Sequence, residues 1–86
     1  MFVILAYDVV STRGNKIMKI CRKYLRHIQK SVFEGSLSDA KLKCLQDELK
    51  KVLEPDKDKV CIYCLDSVKY AKKVQIGLVE EMDEFL

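Results

Sequence analysis

The sequence lacks any apolar run long enough to cross a bilayer: the longest, Met1 to Tyr7, covers seven residues, against about 20 for a membrane helix. Membrane roles are therefore not expected. No basic leader precedes Phe2-Val3-Ile4-Leu5 and no small-residue cleavage site follows it, which argues against a secretory signal and for the cytoplasm. Glycine occurs only at Gly14, Gly35 and Gly77, never clustered as a phosphate-cradling loop, so a nucleotide cofactor is not expected. The single histidine, His27, has no nearby Cys, Ser or acid in sequence from which to build a nucleophilic constellation. Acids are missing from Val9 through Phe33 altogether, so every charge in that stretch is positive.

At 86 residues the chain holds one small domain. A core this thin buries only about 60 to 68% of the unfolded surface, which favours pairing with a second copy. With 49% hydrophobic and 34% charged residues, the composition is that of a globular protein. The net charge of +3 is modest but divided: residues 1–33 carry seven Lys/Arg against one acid, and residues 34–86 carry nine against twelve. Arg13, Lys16, Lys19, Arg22, Lys23, Arg26 and Lys30 fall in the acid-free stretch. Exposed helices usually interleave signs to gain i,i+4 pairing, and a face without that pairing suits phosphate binding. The segment Glu80–Leu86, with four acids in seven residues, is read as an acidic tail that either frays or docks on a basic surface.

Met1 to Val10 reads as a strand whose two faces, Phe2, Ile4, Ala6 and Asp8 on one side and Val3, Leu5 and Tyr7 on the other, are both apolar until Asp8. After a break at residues 11–15, Ile17, Ile20, Cys21, Tyr24, Leu25 and Ile28 recur at helical spacing, with Lys16, Lys19, Lys23 and Arg26 opposite. A second strand is expected over Ile28–Glu34, ending at Gly35 in a turn that needs positive φ. Ser38 is placed as the N-cap of a second helix, with Leu37 and Leu42 as a hydrophobic staple and Pro55 closing it. Lys59–Leu65 and Val74–Val79 complete the order strand, helix, strand, helix, strand, strand. The economical solution is an α+β ferredoxin-like sandwich, βαββαβ or a close variant, over residues 1–79, with residues 80–86 as the tail. Because the first strand is apolar on both faces, the face without helices needs a partner subunit or the tail, so a homodimer is expected.

Cys61 and Cys64 have zinc-site spacing, but i and i+3 on a strand point to opposite faces, and no glycine or proline supplies a knuckle. All four cysteines are read as small buried hydrophobes. Asp8, the only acid among the first 33 residues, is the sharper feature. Mg²⁺ needs one or two carboxylates while waters and phosphates supply the rest. Two copies related by a two-fold axis near the strand ends would pair Asp8 with its mate, enough to hold one ion and activate a water.

Tyr7-Asp8-Val9 ending the first strand, then Arg13-Gly14-Asn15-Lys16, then Gln29-Lys30-Ser31-Val32-Phe33-Glu34-Gly35, resemble the small CRISPR-associated adaptation proteins, the second of the two universal CRISPR proteins. The resemblance implies a ferredoxin-like homodimer with facing first-strand aspartates, the last strand crossing to the partner's sheet. It implies Asp8 as metal-binding and catalytic residue, Tyr7 as its motif neighbour in the catalytic site, and Phe33 at the interface beside it. Arg13 with Lys16, and His27 with Arg26, stand where the family often has arginines or another basic residue; with Lys19 and Lys23 they form the expected nucleic-acid-binding set. Lysine gives a point charge rather than a bidentate fork, which suits phosphate binding. The implied function is spacer acquisition, the homodimer binding DNA and bridging CRISPR integrase dimers, with Mg²⁺-dependent cleavage of single-stranded RNA or duplex DNA as an attached activity. The alternative is a stand-alone ferredoxin-like toxin ribonuclease outside a CRISPR locus.

Overall fold

The computed structural model describes residues 1–66 together with Val74 and Ile76. Strand β1 (Phe2–Asp8) leads into helix α1 (Ser11–Arg22), the hairpin β2 (Arg26–Gln29) and β3 (Val32–Ser36), helix α2 (Asp39–Val52) and strand β4 (Lys59–Leu65). The sheet order is β2-β3-β1-β4, antiparallel throughout. This βαββαβ order with both helices on one sheet face is the α+β ferredoxin-like plan expected from the sequence. The strand expected at Val74–Val79 and the tail at 80–86 lie outside the described residues, save Val74 and Ile76, which are both exposed.

Alternation along β1 divides the sheet into two faces. Val3 and Leu5 are wholly buried and meet Phe33 of β3, Ile17 and Cys21 of α1 and Leu45 and Leu49 of α2 in one core, against which Tyr7, Val60 and Ile62 pack. Phe2, Ile4 and Ala6, on the other face, are only half-buried, and their cross-strand neighbours include Tyr63 and Leu65. No described helix covers that second face.

The strand read as Ile28–Glu34 is two strands. Lys30-Ser31 forms the turn between them, and a register shift between His27 and Gln29 marks the irregular start of the hairpin. Helix α1 also ends earlier than its apolar spacing suggests. The Cys21 carbonyl accepts from the N–H groups of both Tyr24 and Leu25, which tightens the last turn and sends Leu25 into the core. Tyr24, Leu25 and Ile28 keep helical spacing in sequence while belonging to the turn and β2. Gly35 does not close a turn either. It pairs with Val3 inside β3, and a Cβ there would lie 3.2 Å from Leu25 Cδ2, so its missing side chain allows Leu25 to lie over the strand.

Helix α2 starts as read. Ser38 Oγ accepts from the Lys41 N–H at 3.2 Å, Leu37 is buried and Leu42 half-buried, and the helix stops at Val52, three residues before Pro55. The cysteines divide differently from expectation. Cys21 is buried, but Cys44 and Cys64 are exposed and Cys61 is intermediate. Cys61 pairs with Ala6 and Cys64 with Val3, so the two sulfurs stand on opposite faces of the sheet.

Candidate metal and nucleic-acid site

Asp8 closes β1 on the open face, exposed to solvent, with Lys59 as its cross-strand partner. It lines a shallow depression of about 220 Å³ with Ala6, Tyr7, Lys59, Cys61 and Tyr63. Tyr63 is 61% exposed, so apolar ring and carboxylate share one open surface. Arg26 of β2 pairs with Glu34, whose β1 neighbour is Ile4, and so belongs to the same face. Among the described residues no group of three His, Cys, Asp or Glu side chains could hold a metal. A single carboxylate is the lower end of the one or two that a magnesium ion takes from protein.

Tyr7 alternates to the helix side. Its ring packs on the core, stacks toward Phe33 with centroids 6.2 Å apart, and its hydroxyl donates to the Lys30 carbonyl at 3.5 Å. Burial raises its phenol pKa, partly offset by the charge of Arg22. Tyr7 and Asp8 are adjacent in sequence, but the pleat turns their side chains to opposite faces. Phe33, expected at the interface beside the site, lies on the helix side of the sheet with Leu5 as its β1 neighbour. It has no exposed surface and lies between Tyr7 and His27, whose ring stacks on it with centroids 4.5 Å apart. Within this chain it is core, packed under the helices rather than on the open face. His27 contacts the Lys30 carbonyl through Nε2 at 3.1 Å and lies half-buried at the sheet edge.

The basic residues of α1 have unequal roles. Lys16 and Lys19 are exposed, and among the described residues neither ammonium is paired. Lys23 is paired with Glu48 of α2, which also accepts from the Tyr24 hydroxyl. That bond, with burial second, pushes the Tyr24 phenol up to about 12, and Lys23 holds Glu48 below its usual value. Arg13 is committed internally. Its Nε and Nη2 donate to the two Asp58 oxygens at 2.6 and 2.8 Å, and Nη1 lies 3.0 Å from Glu54 Oε2. The bidentate pair, joined by the backbone N–H groups of Glu54 and Val10, keeps the Asp58 carboxyl well below the usual carboxylate range despite its burial. Sequence reasoning missed Asp58. The available signal was indirect: α1 has no acid in its first turn and no side-chain cap from Val10, so the helix start and Arg13 both had to find an anion elsewhere in the chain.

Residues 1–73 match the family described as CRISPR associated protein Cas2. The chain is 40% identical to a CRISPR-associated endoribonuclease Cas2 of Thermotoga maritima, covering all of this chain and 99% of that protein. It is 36% identical to the protein of the same name from Dictyoglomus turgidum, over 98% and 97% of the two chains. A crystal structure of a Cas2 protein superposes with a TM-score of 0.84 at 39% identity, covering 93% of this chain and 90% of that one. A hypothetical protein from Thermus thermophilus superposes at 0.77 with 27% identity, over 93% and 94%. The open carboxylate-bearing sheet face, the βαββαβ order and full-length similarity converge: the chain belongs to the CRISPR-associated Cas2 family.

Proposed function

We propose that this chain serves CRISPR spacer acquisition as a homodimer closed through its open sheet face. In this reading it binds nucleic acid through the basic surface of α1, bridges CRISPR integrase dimers, and hydrolyses phosphodiesters at paired Asp8 carboxylates with Mg²⁺. The observation that carries the reading is the open face itself. Phe2, Ile4, Tyr63 and Leu65 form an apolar surface that ends in an exposed carboxylate, and a second copy would cover the first while doubling the second. The family match favours this over a toxin ribonuclease outside any CRISPR system.

Asp8 fits a hard, oxygen-seeking ion, and its symmetry mate would supply the second carboxylate. When bound, Mg²⁺ neutralises phosphate charge and lowers the pKa of attacking water. Around it the chain's own groups have defined tasks. Asp8 holds the ion, Lys59 directs a cation at the phosphate from the neighbouring strand, and Arg26 extends the positive field on the same face. The names of the relatives point to RNA as the first substrate to try.

A second reading, an adaptor without chemistry, is favoured by one observation: α1 packs on the sheet face opposite to Asp8. Nucleic acid held by Lys16 and Lys19 need not meet the carboxylate. Incubating the protein and its Asp8→Asn variant with single-stranded RNA and short duplex DNA, with and without Mg²⁺, separates the two. Metal-dependent cleavage lost in the variant supports the nuclease. No cleavage by either, with DNA binding intact, supports the adaptor. Light scattering at the mass of one chain would refute the dimer on which both depend.

A further inference from the structure

Asp58 stands one residue before β4, and its side chain has no exposed surface. Each carboxylate oxygen accepts twice. Oδ1 takes the Val10 N–H at 3.1 Å and Arg13 Nη2 at 2.8 Å; Oδ2 takes Arg13 Nε at 2.6 Å and the Glu54 N–H at 2.9 Å. A buried carboxylate is tolerated only when its lone pairs are so filled, and a network satisfied on every side fixes one geometry. What it fixes is the Asp8 end of the sheet. Val10 is two residues beyond Asp8, Lys59 is the next residue after Asp58, and Asp8 and Lys59 are cross-strand partners. One carboxylate thus closes a ring through the last pair of the β1–β4 ladder and the start of α1. Arg13 is the clamp of that ring, with Glu54 closing its other side.

We propose that Asp58 is the positioning residue for Asp8, and that Arg13 acts on the site through Asp58 rather than by touching nucleic acid. The proposal deepens the reading of Asp8 as the functional carboxylate and rests on it. A metal half-site on an exposed strand end has little else to hold it, and constellations of this kind must keep their geometry to about 0.5 Å. Arg13 cannot make its two-pronged bond to Asp58 and offer the same edge to a phosphate. The proposal therefore removes Arg13 from the phosphate-binding set and leaves Lys16 and Lys19 as the phosphate-facing cations of α1.

The experiment compares Asp58→Asn, Arg13→Gln and the double variant with the unmodified protein by three readouts. The first is backbone amide order by NMR. The Asp8, Val9 and Val10 amides should fall from a rigid order parameter of about 0.85 to below about 0.6, while core amides such as Leu5 and Phe33 stay rigid. The second is Mg²⁺-dependent cleavage. Its kcat should fall by about 10²-fold with KM for nucleic acid unchanged, and the double variant should be no worse than either single one, because both residues act in one unit. The third is the salt dependence of duplex binding, which Arg13→Gln should leave unaltered. Unchanged order at Asp8 to Val10 in both single variants overturns the proposal. So does a salt slope lowered by Arg13→Gln by about 0.9, one phosphate contact. If the unmodified protein shows no Asp8-dependent cleavage, the nuclease reading fails, and the amide order still decides the positioning role. Should Asp58→Asn not fold, Arg13→Lys, which keeps the charge and loses the fork, carries the same comparison.

Discussion

Lys16 and Lys19 should account for most of the electrostatic grip of α1 on nucleic acid, and Lys23 for little of it. All three lie on one stripe of the helix, at i, i+3 and i+7, and by charge alone they are equivalent. The fold makes them unequal, because the Lys23 ammonium is engaged by Glu48 while Lys16 and Lys19 face solvent. Each cation that neutralises a duplex phosphate adds about 0.9 to the slope of log affinity against log salt. Replacing Lys16 and Lys19 together by Gln should therefore lower the slope by about 1.8. Between about 50 and about 200 mM salt the unmodified protein should lose roughly 12-fold more affinity than the double variant. Lys23→Gln alone should change the slope by much less than one contact. Fluorescence anisotropy with a short labelled duplex over a salt series measures all three. A Lys23→Gln slope change equal to that of Lys16→Gln would refute the assignment, as would an unaltered slope in the double variant.

Phe33→Ala should destabilise the fold by about 3–5 kcal/mol, the range for removing a large buried aromatic, read by urea unfolding; a loss under about 1 kcal/mol would contradict its place in the core. Ser38→Ala should cost about 1 kcal/mol through loss of the cap to the Lys41 N–H, measured in the same way. Asp58 has a folded pKa below its unfolded value, so its stabilisation is complete above pH 3.8 and is lost as the pH falls further. The stability gap between the protein and Asp58→Asn should accordingly stay constant at neutral pH and shrink only in strong acid, as followed by thermal unfolding across pH. Burial pushes the Cys21 thiol up to about 12, so under native conditions a thiol reagent should modify exposed Cys44 quickly and Cys21 only on unfolding. Fast native modification of Cys21 would show that α1 does not seal the core.

Much of this protein is determined by its sequence alone. The apolar alternation of β1, the Ser38 cap, Pro55 and the run Lys59–Leu65 set the element types, because cap chemistry and period-two burial are local properties. The same locality placed Asp8 at a strand end and Lys16 and Lys19 on the solvent side of α1, while Arg26, read onto that helix, belongs to β2. Where the reading failed, tertiary packing had overridden a local pattern. Leu25 keeps helical spacing but leaves the helix because a space over Gly35 accepts it, and Lys30-Ser31 turns the chain because β2 and β3 pair. Phe33 could be read as core or as surface, and only the closure of α1 and α2 over the sheet made it core. Tyr7 and Asp8 form one motif in sequence and are divided by the pleat. Arg13 was legible as a cation and not as a clamp, because its partner Asp58 lies 45 residues away. Charge type and periodicity are carried by neighbouring residues and can be read in order. Which charge meets which is decided only when the folded chain brings distant carboxylates within reach, because burial then compels every such group to find its donors.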